Sequence, residues 1–180
     1  MSPQLRRTVE IIDAISTWAG KLFGWLILPM IGCLVYEVFA RYLFDRPTLW
    51  AYDMTYMLFG SHFMLGTAYA LRRGSHIRTD FFYRLWSPRW QGTIDAVLYV
   101  CLFFPGMTYF LWDSFDFAYK SWIRLEFGIS SPWSPPIYPF KTVMPVTAAL
   151  LLIQGISELI KSIHAAIHDE WPSDGRGERS

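Results

Sequence analysis

Charge is scarce and unevenly spread in this chain. Asp, Glu, Lys and Arg make up 17% of the 180 residues, against 53% hydrophobic and 18% aromatic, which is more apolar surface than one soluble core of this length needs. No charge falls between Lys21 and Glu37, between Asp53 and Arg72, or between Asp95 and Asp113. That absence excludes a soluble helical bundle, whose helices would each carry a polar stripe. Cysteine is limited to Cys33 and Cys101, without neighbouring ligands, so no metal site can be built on them and they read as packing residues. The chain also lacks a phosphate-cradling glycine loop, a nucleophile beside a base, paired metal ligands at i and i+4 within a helix, and a GxSxG elbow, which leaves enzymatic chemistry no foothold. With a net charge of only +1 there is no electrostatic footprint for nucleic acid. No internal repeat is present.

The apolar residues fall into four stretches, about 21–42, 50–71, 92–112 and 141–160, each near the roughly 20 residues needed to cross about 30 Å of hydrocarbon. These predict an all-α membrane protein with four transmembrane helices, one integral domain over 1–168 and a disordered cytoplasmic tail over 169–180. Basic residues set its orientation. Arg6, Arg7, Lys21, Arg72, Arg73, Arg78, Arg84, Arg89, Lys161, Arg176 and Arg179 lie on one side, and Arg41, Arg46, Lys120, Arg124 and Lys141 on the other. The side richer in Lys and Arg is the cytoplasmic one, so both termini and the 72–91 segment are expected inside.

Leu5, Val9, Ile12 and then Ile11, Ile15, Trp18 and Leu22 recur at helical spacing, with Glu10, Asp13, Ser16 and Thr17 between them, which predicts a short amphipathic helix on the inner surface rather than a cleaved leader. Ser87 and Pro88 read as an N-cap followed by proline at the first helical position, and Thr48 as a cap of the second span. The 77–86 piece is expected along the inner interface. Beyond Trp112 the helical pattern continues through Phe115, Tyr119 and Trp122, so the third helix is expected to project past the bilayer. The proline-rich stretch from Ser130 to Pro139 then reads as a loop on the outer side.

Ionisable residues inside a membrane are costly, and each needs a reason. Glu37 and Arg41, four apart, are placed on one helix face as an ion pair, either as a tether between helices or as part of an ion path. Asp53 is within reach of Arg41 or Arg46 across the short turn. His62 is the histidine at mid-membrane depth, and a haem held by two histidines would need a second at similar depth on another helix. Helix-to-helix hydrogen bonding is the use expected for it.

Several of these pieces, in order, carry a resemblance: Glu37-Val-Phe-Ala-Arg41-Tyr42; Trp50 with Asp53; Gly66 through Leu71 into Arg72-Arg73-Gly74-Ser75-His76-Ile77-Arg78-Thr79-Asp80; Phe82 through Arg89; Ser121-Trp122; and Glu126. Over about residues 20–165 the chain resembles the small membrane subunit of tripartite ATP-independent periplasmic (TRAP) transporters, the DctQ-like family. It departs from that family's usual pair of Glu after the tryptophan, having Tyr52 and Asp53 there. The resemblance implies a scaffold in the bacterial inner membrane that binds no cofactor and assembles with a large membrane subunit holding the ion and substrate sites. A periplasmic substrate-binding protein engages transiently, and a sodium gradient drives uptake of a carboxylate. Glu37, Arg41, Trp50, Asp53, Arg72, Arg73, Gly74 and His76 are then assembly residues, and the basic segment is expected to meet anionic membrane lipid or the partner's rim. Two readings from other classes are a membrane anchor for a redox enzyme and a small self-sufficient transporter.

Overall fold

A computed structural model describes residues 3–73, 86–129 and 131–171. The elements in order are α1 (Pro3–Gly24), α2 (Ile27–Tyr42), α3 (Ala51–Arg72), α4 (Pro88–Leu98), a π-helical turn (Tyr99–Phe103), α5 (Phe104–Arg124), α6 (Tyr138–Lys141) and α7 (Val143–His168). Among the described residues, three helical stretches are long and apolar enough to cross a membrane: Pro3–Tyr42, Pro88–Arg124 and Tyr138–His168. The 22-residue α3 is comparably long but less apolar, because Asp53, Thr55, Ser61, His62 and Thr67 interrupt it.

Proline explains where each long stretch is disturbed. Pro29 has no N–H to give the Trp25 carbonyl four residues back, and the helix breaks at Trp25 and Leu26. Pro105 likewise cannot bond Cys101, and the preceding turn widens so that the Phe104 N–H reaches the Tyr99 carbonyl five residues back. Pro145 stands four residues after Lys141, where α6 passes into α7. At the start of α4, extended Ser87 and Pro88 form the expected N-terminus, with Gln91 N–H donating to the Ser87 carbonyl and no bond from the Ser87 side chain.

The helices pack as a row. α2 lies on α3, α3 on α7, and α7 on α4 and α5, while α1 rests against both α3 and α7. Small residues fill the contacts: Ala40, Ala51, Ala68, Ala118, Ala148 and Ala165 are buried, as are Ser114, Ser121, Ser157 and Ser162. Large apolar side chains point outward, including Trp18, Trp25, Phe63, Leu102, Tyr109 and Trp112. This distribution suits helices in lipid, where close backbone approach through small residues replaces the hydrophobic drive available in water.

Three expectations change here. The N-terminal amphipathic helix is 22 residues long, and its polar Asp13 and Ser16 are buried rather than solvated. α7 continues past residue 160 to His168, placing His164 and His168 four apart on one helix with rings stacked at 4.3 Å, so a pair of potential ligands at i and i+4 does exist. Thr48 does not cap the second helix: α3 starts after Trp50 with no side-chain cap.

Beyond α5 the chain reverses through a left-handed Leu125 (φ 45°), with Leu125 N–H returning to the Trp122 carbonyl and Glu126 N–H to that of Ser121. A short antiparallel bridge of Phe127 with Pro136 follows inside the expected loop. Lys141 clamps the loop, with its Nζ 2.5 Å from Glu126 Oε2 and 4.0 Å from the centre of the Phe117 ring. The hydrogen bond from Lys141 holds the Glu126 carboxyl below its ordinary range. Its folded pKa is therefore lower than its unfolded one, so its contribution is present above the unfolded pKa and is lost as pH falls through the folded value. Acidification from pH 7 to about pH 3 is expected to loosen this loop, read by Trp122 and Trp133 fluorescence, and Glu126→Gln is expected to remove that pH step.

Candidate functional site

The Arg72 end of the row holds a buried network built from α1, α3 and α7. Buried residues on α1 recur at Val9, Asp13 and Ser16, which turns one polar face of an amphipathic helix toward its neighbours. On α7, Gln154, Ser157, Glu158 and Lys161 recur at i, i+3, i+4 and i+7 and meet that face. Asp13 is the hub. Its Oδ2 accepts from Lys161 Nζ at 2.6 Å, and its Oδ1 accepts from Ser157 Oγ at 2.7 Å and Gln154 Nε2 at 3.0 Å. Lys161 Nζ also donates to Glu158 Oε1 at 3.2 Å, and Ser16 Oγ donates to Gln154 Oε1 at 2.6 Å. Arg72 completes the set from α3, its Nε 3.5 Å from Asp13 Oδ2 and its guanidinium donating to the Thr17 hydroxyl.

Two carboxylates and two cations balance in this cluster. The side chains of Asp13, Lys161 and Glu158 are 9%, 5% and 2% exposed, and Arg72 is 35% exposed at the edge. In so dry a place each charge depends on its partners, and the pairing fixes which faces of three helices meet. Among the described residues no group of three or more His, Cys, Asp or Glu side chains could hold a metal ion.

A second polar set closes the opposite end, between α2 and α3. Glu37 and Arg41 form the expected ion pair. Glu37 also accepts from Thr48, through its hydroxyl and, at 2.9 Å, its backbone N–H, so the carboxylate fastens the turn to α2. Trp50 stacks on Tyr36 with ring centroids 5.6 Å apart. Asp53 meets neither Arg41 nor Arg46: it accepts from the Ser131 hydroxyl and ties the start of α3 to the distant loop.

The predicted residues therefore separate. Arg72 belongs to the buried network, whereas Arg73 lies over the Tyr69 ring, 5.2 Å from its centre. Glu37, Arg41 and Trp50 are brought together at the other end. Gly74 and His76, and the 77–85 part of the interfacial segment, lie outside the described residues. His62 joins α3 to α1 as expected: its Nδ1 donates to the Phe23 carbonyl at 3.0 Å, which places the ring proton on that nitrogen. Asp13, Gln154, Ser157, Glu158 and Lys161 are the residues that sequence reasoning missed as a group. The signal available was the i, i+3, i+4, i+7 polar stripe inside an otherwise apolar helix.

Two comparisons bear on identity. The chain is 28% identical over 78 residues, 43% of its length and 42% of the relative's, to the sialic acid TRAP transporter small permease protein SiaQ of Vibrio cholerae serotype O1. It is 26% identical over 99 residues, 53% of its length but 16% of the relative's, to the sialic acid TRAP transporter permease protein SiaT of Haemophilus influenzae. The matched parts thus span less than half of either relative. Residues 30–165 match the family described as tripartite ATP-independent periplasmic transporters, DctQ component, and so run from the first turn of α2 to the last turn of α7 and take in both polar sets except Asp13, Ser16 and Thr17. The chain belongs to that DctQ family of TRAP transporter small permease components.

Proposed function

We propose that the chain is the scaffold subunit of a TRAP transporter, assembling with a large membrane subunit and served by a periplasmic substrate-binding protein. In this reading α3 is a fourth span, the chain sits in the bacterial inner membrane, and both ends of the polypeptide face the cytoplasm. The large subunit supplies the ion and substrate sites, a sodium gradient drives uptake, and the solute is a carboxylate. Sialic acid, for which both relatives are named, is one member of that class.

The observation that carries the proposal is the row of helices. Its buried charges, where α1, α3 and α7 meet, are closed on one another, and its outer faces present large apolar side chains. Such a slab widens the fixed part of a transporter without lining a path through it. Arg72 matters because it ties α3 to α1 at the rim where the basic segment begins.

Co-expression with the large subunit is the test. A one-to-one complex is expected to copurify, and Arg72→Gln with Arg73→Gln is expected to lower its yield about thirtyfold, at roughly 1 kcal/mol for each arginine near an anionic surface. Unchanged yield would count against the role given to this rim.

A further inference from the structure

We infer that the turn end of α2 carries a site for the phosphodiester headgroup of an anionic phospholipid, with Arg46 as its cationic ligand. A cavity of about 600 Å³ opens there, lined by Tyr36, Phe39, Ala40, Phe44 and Arg46. The inference rests on the reading that α2 spans the membrane, which puts this turn at headgroup depth.

The position of Arg46 is built rather than incidental. Asp45 adopts a left-handed conformation (φ 52°), which Asp tolerates better than most side chains, and the Arg46 N–H returns to the Ala40 carbonyl at 2.9 Å. That bond folds the backbone of Arg46 onto the end of α2, where the cavity lies. Of the nearby carboxylates, Asp45 is next in the chain and makes no ion pair with Arg46. Glu37 is taken by Arg41 and Thr48, and Asp53 by Ser131. Among the described residues the Arg46 guanidinium has no carboxylate within ion-pair distance.

The surrounding chemistry matches an amphiphile. Tyr36, stacked on Trp50, brings a phenol of the kind enriched at headgroup level, and Phe39 and Phe44 offer apolar wall to an acyl chain entering from the bilayer. The guanidinium fork pairs with two phosphate oxygens at once, which an ammonium cannot do. A free phosphate would use the fork but gain nothing from the aromatic walls.

Electron paramagnetic resonance of spin-labelled lipids around the full chain in bilayers tests this. Wild type is expected to hold motionally restricted phosphatidylglycerol in preference to phosphatidylcholine, and Arg46→Gln to lower that preference about fivefold, while Arg46→Lys keeps part of it and Arg124→Gln leaves it unchanged. Excess glycerol phosphate is expected not to displace the lipid; displacement would reassign the site to a free phosphate. An unchanged preference in Arg46→Gln, or a preference already absent in wild type, overturns the inference. Loss of restricted lipid of every kind would instead overturn the membrane placement itself. If the preference vanishes on binding the large subunit and Arg46 cross-links to a carboxylate of that partner, the site is a protein contact and the lipid assignment fails.

Discussion

Lys161→Met is expected to destabilise the purified chain by about 3–5 kcal/mol, the usual cost of stripping one partner from a buried ion pair. The ammonium sits 2.6 Å from Asp13 and 3.2 Å from Glu158, and its side chain is only 5% exposed. Removing it leaves two carboxylates facing one guanidinium in a dry contact between α1 and α7. Asp13→Asn is expected to do comparable harm for the opposite reason, leaving Lys161 and Arg72 against Glu158 alone. The double variant returns the cluster to one charge of each sign, Glu158 and Arg72. It should therefore be less damaged than the two single changes together, with a coupling of about 2 kcal/mol or more. Thermal unfolding in detergent, followed by near-ultraviolet circular dichroism, measures all three. Simple additivity would mean that the network is not holding the helices.

The second large effect is steric. A Cβ built at Gly92 would stand 2.5 Å from the Ser162 carbonyl oxygen and 2.6 Å from the Ala166 nitrogen, both backbone atoms that cannot turn aside. Gly92→Leu is expected to push α4 from α7 and to cost about 3 kcal/mol, near the top of the usual range for overpacking. Gly106 provides the contrast, since nothing lies within 4 Å of a Cβ there. Gly106→Ala should be neutral or should gain about 0.5 kcal/mol from the better helix former. If the same unfolding measurement gave equal losses for both changes, close approach of α4 to α7 would not be the cause.

Much of the fold was legible because hydrophobic length and helical periodicity are local signals. The gaps between Lys21 and Glu37 and between Asp95 and Asp113 both fall within the long helices. So was the Glu37 and Arg41 pair, whose spacing alone puts them on one face. Interruptions inside the long helices were also legible in principle, since Pro29, Pro105 and Pro145 each withhold an N–H from a carbonyl four residues earlier.

The buried network was not legible as a unit. Asp13 read as one polar residue of a surface helix and Lys161 as one cation past the last span, because only the packing of α1 on α7 brings them together across 148 positions. Asp53 went astray for the same reason: its partner Ser131 lies 78 residues away, while two arginines were close in sequence. The row itself is a property of which helices neighbour which, and helix periodicity carries no such information.

Uptake by reconstituted components tests the central claim most directly. Liposomes bearing this chain, the large subunit and the binding protein, under an inward sodium gradient, are to be offered a panel of radiolabelled carboxylates that includes sialic acid. The complete set is expected to accumulate one of them. Liposomes bearing this chain alone are expected to match protein-free ones. Sodium-driven accumulation by the chain alone would contradict its assignment as a scaffold.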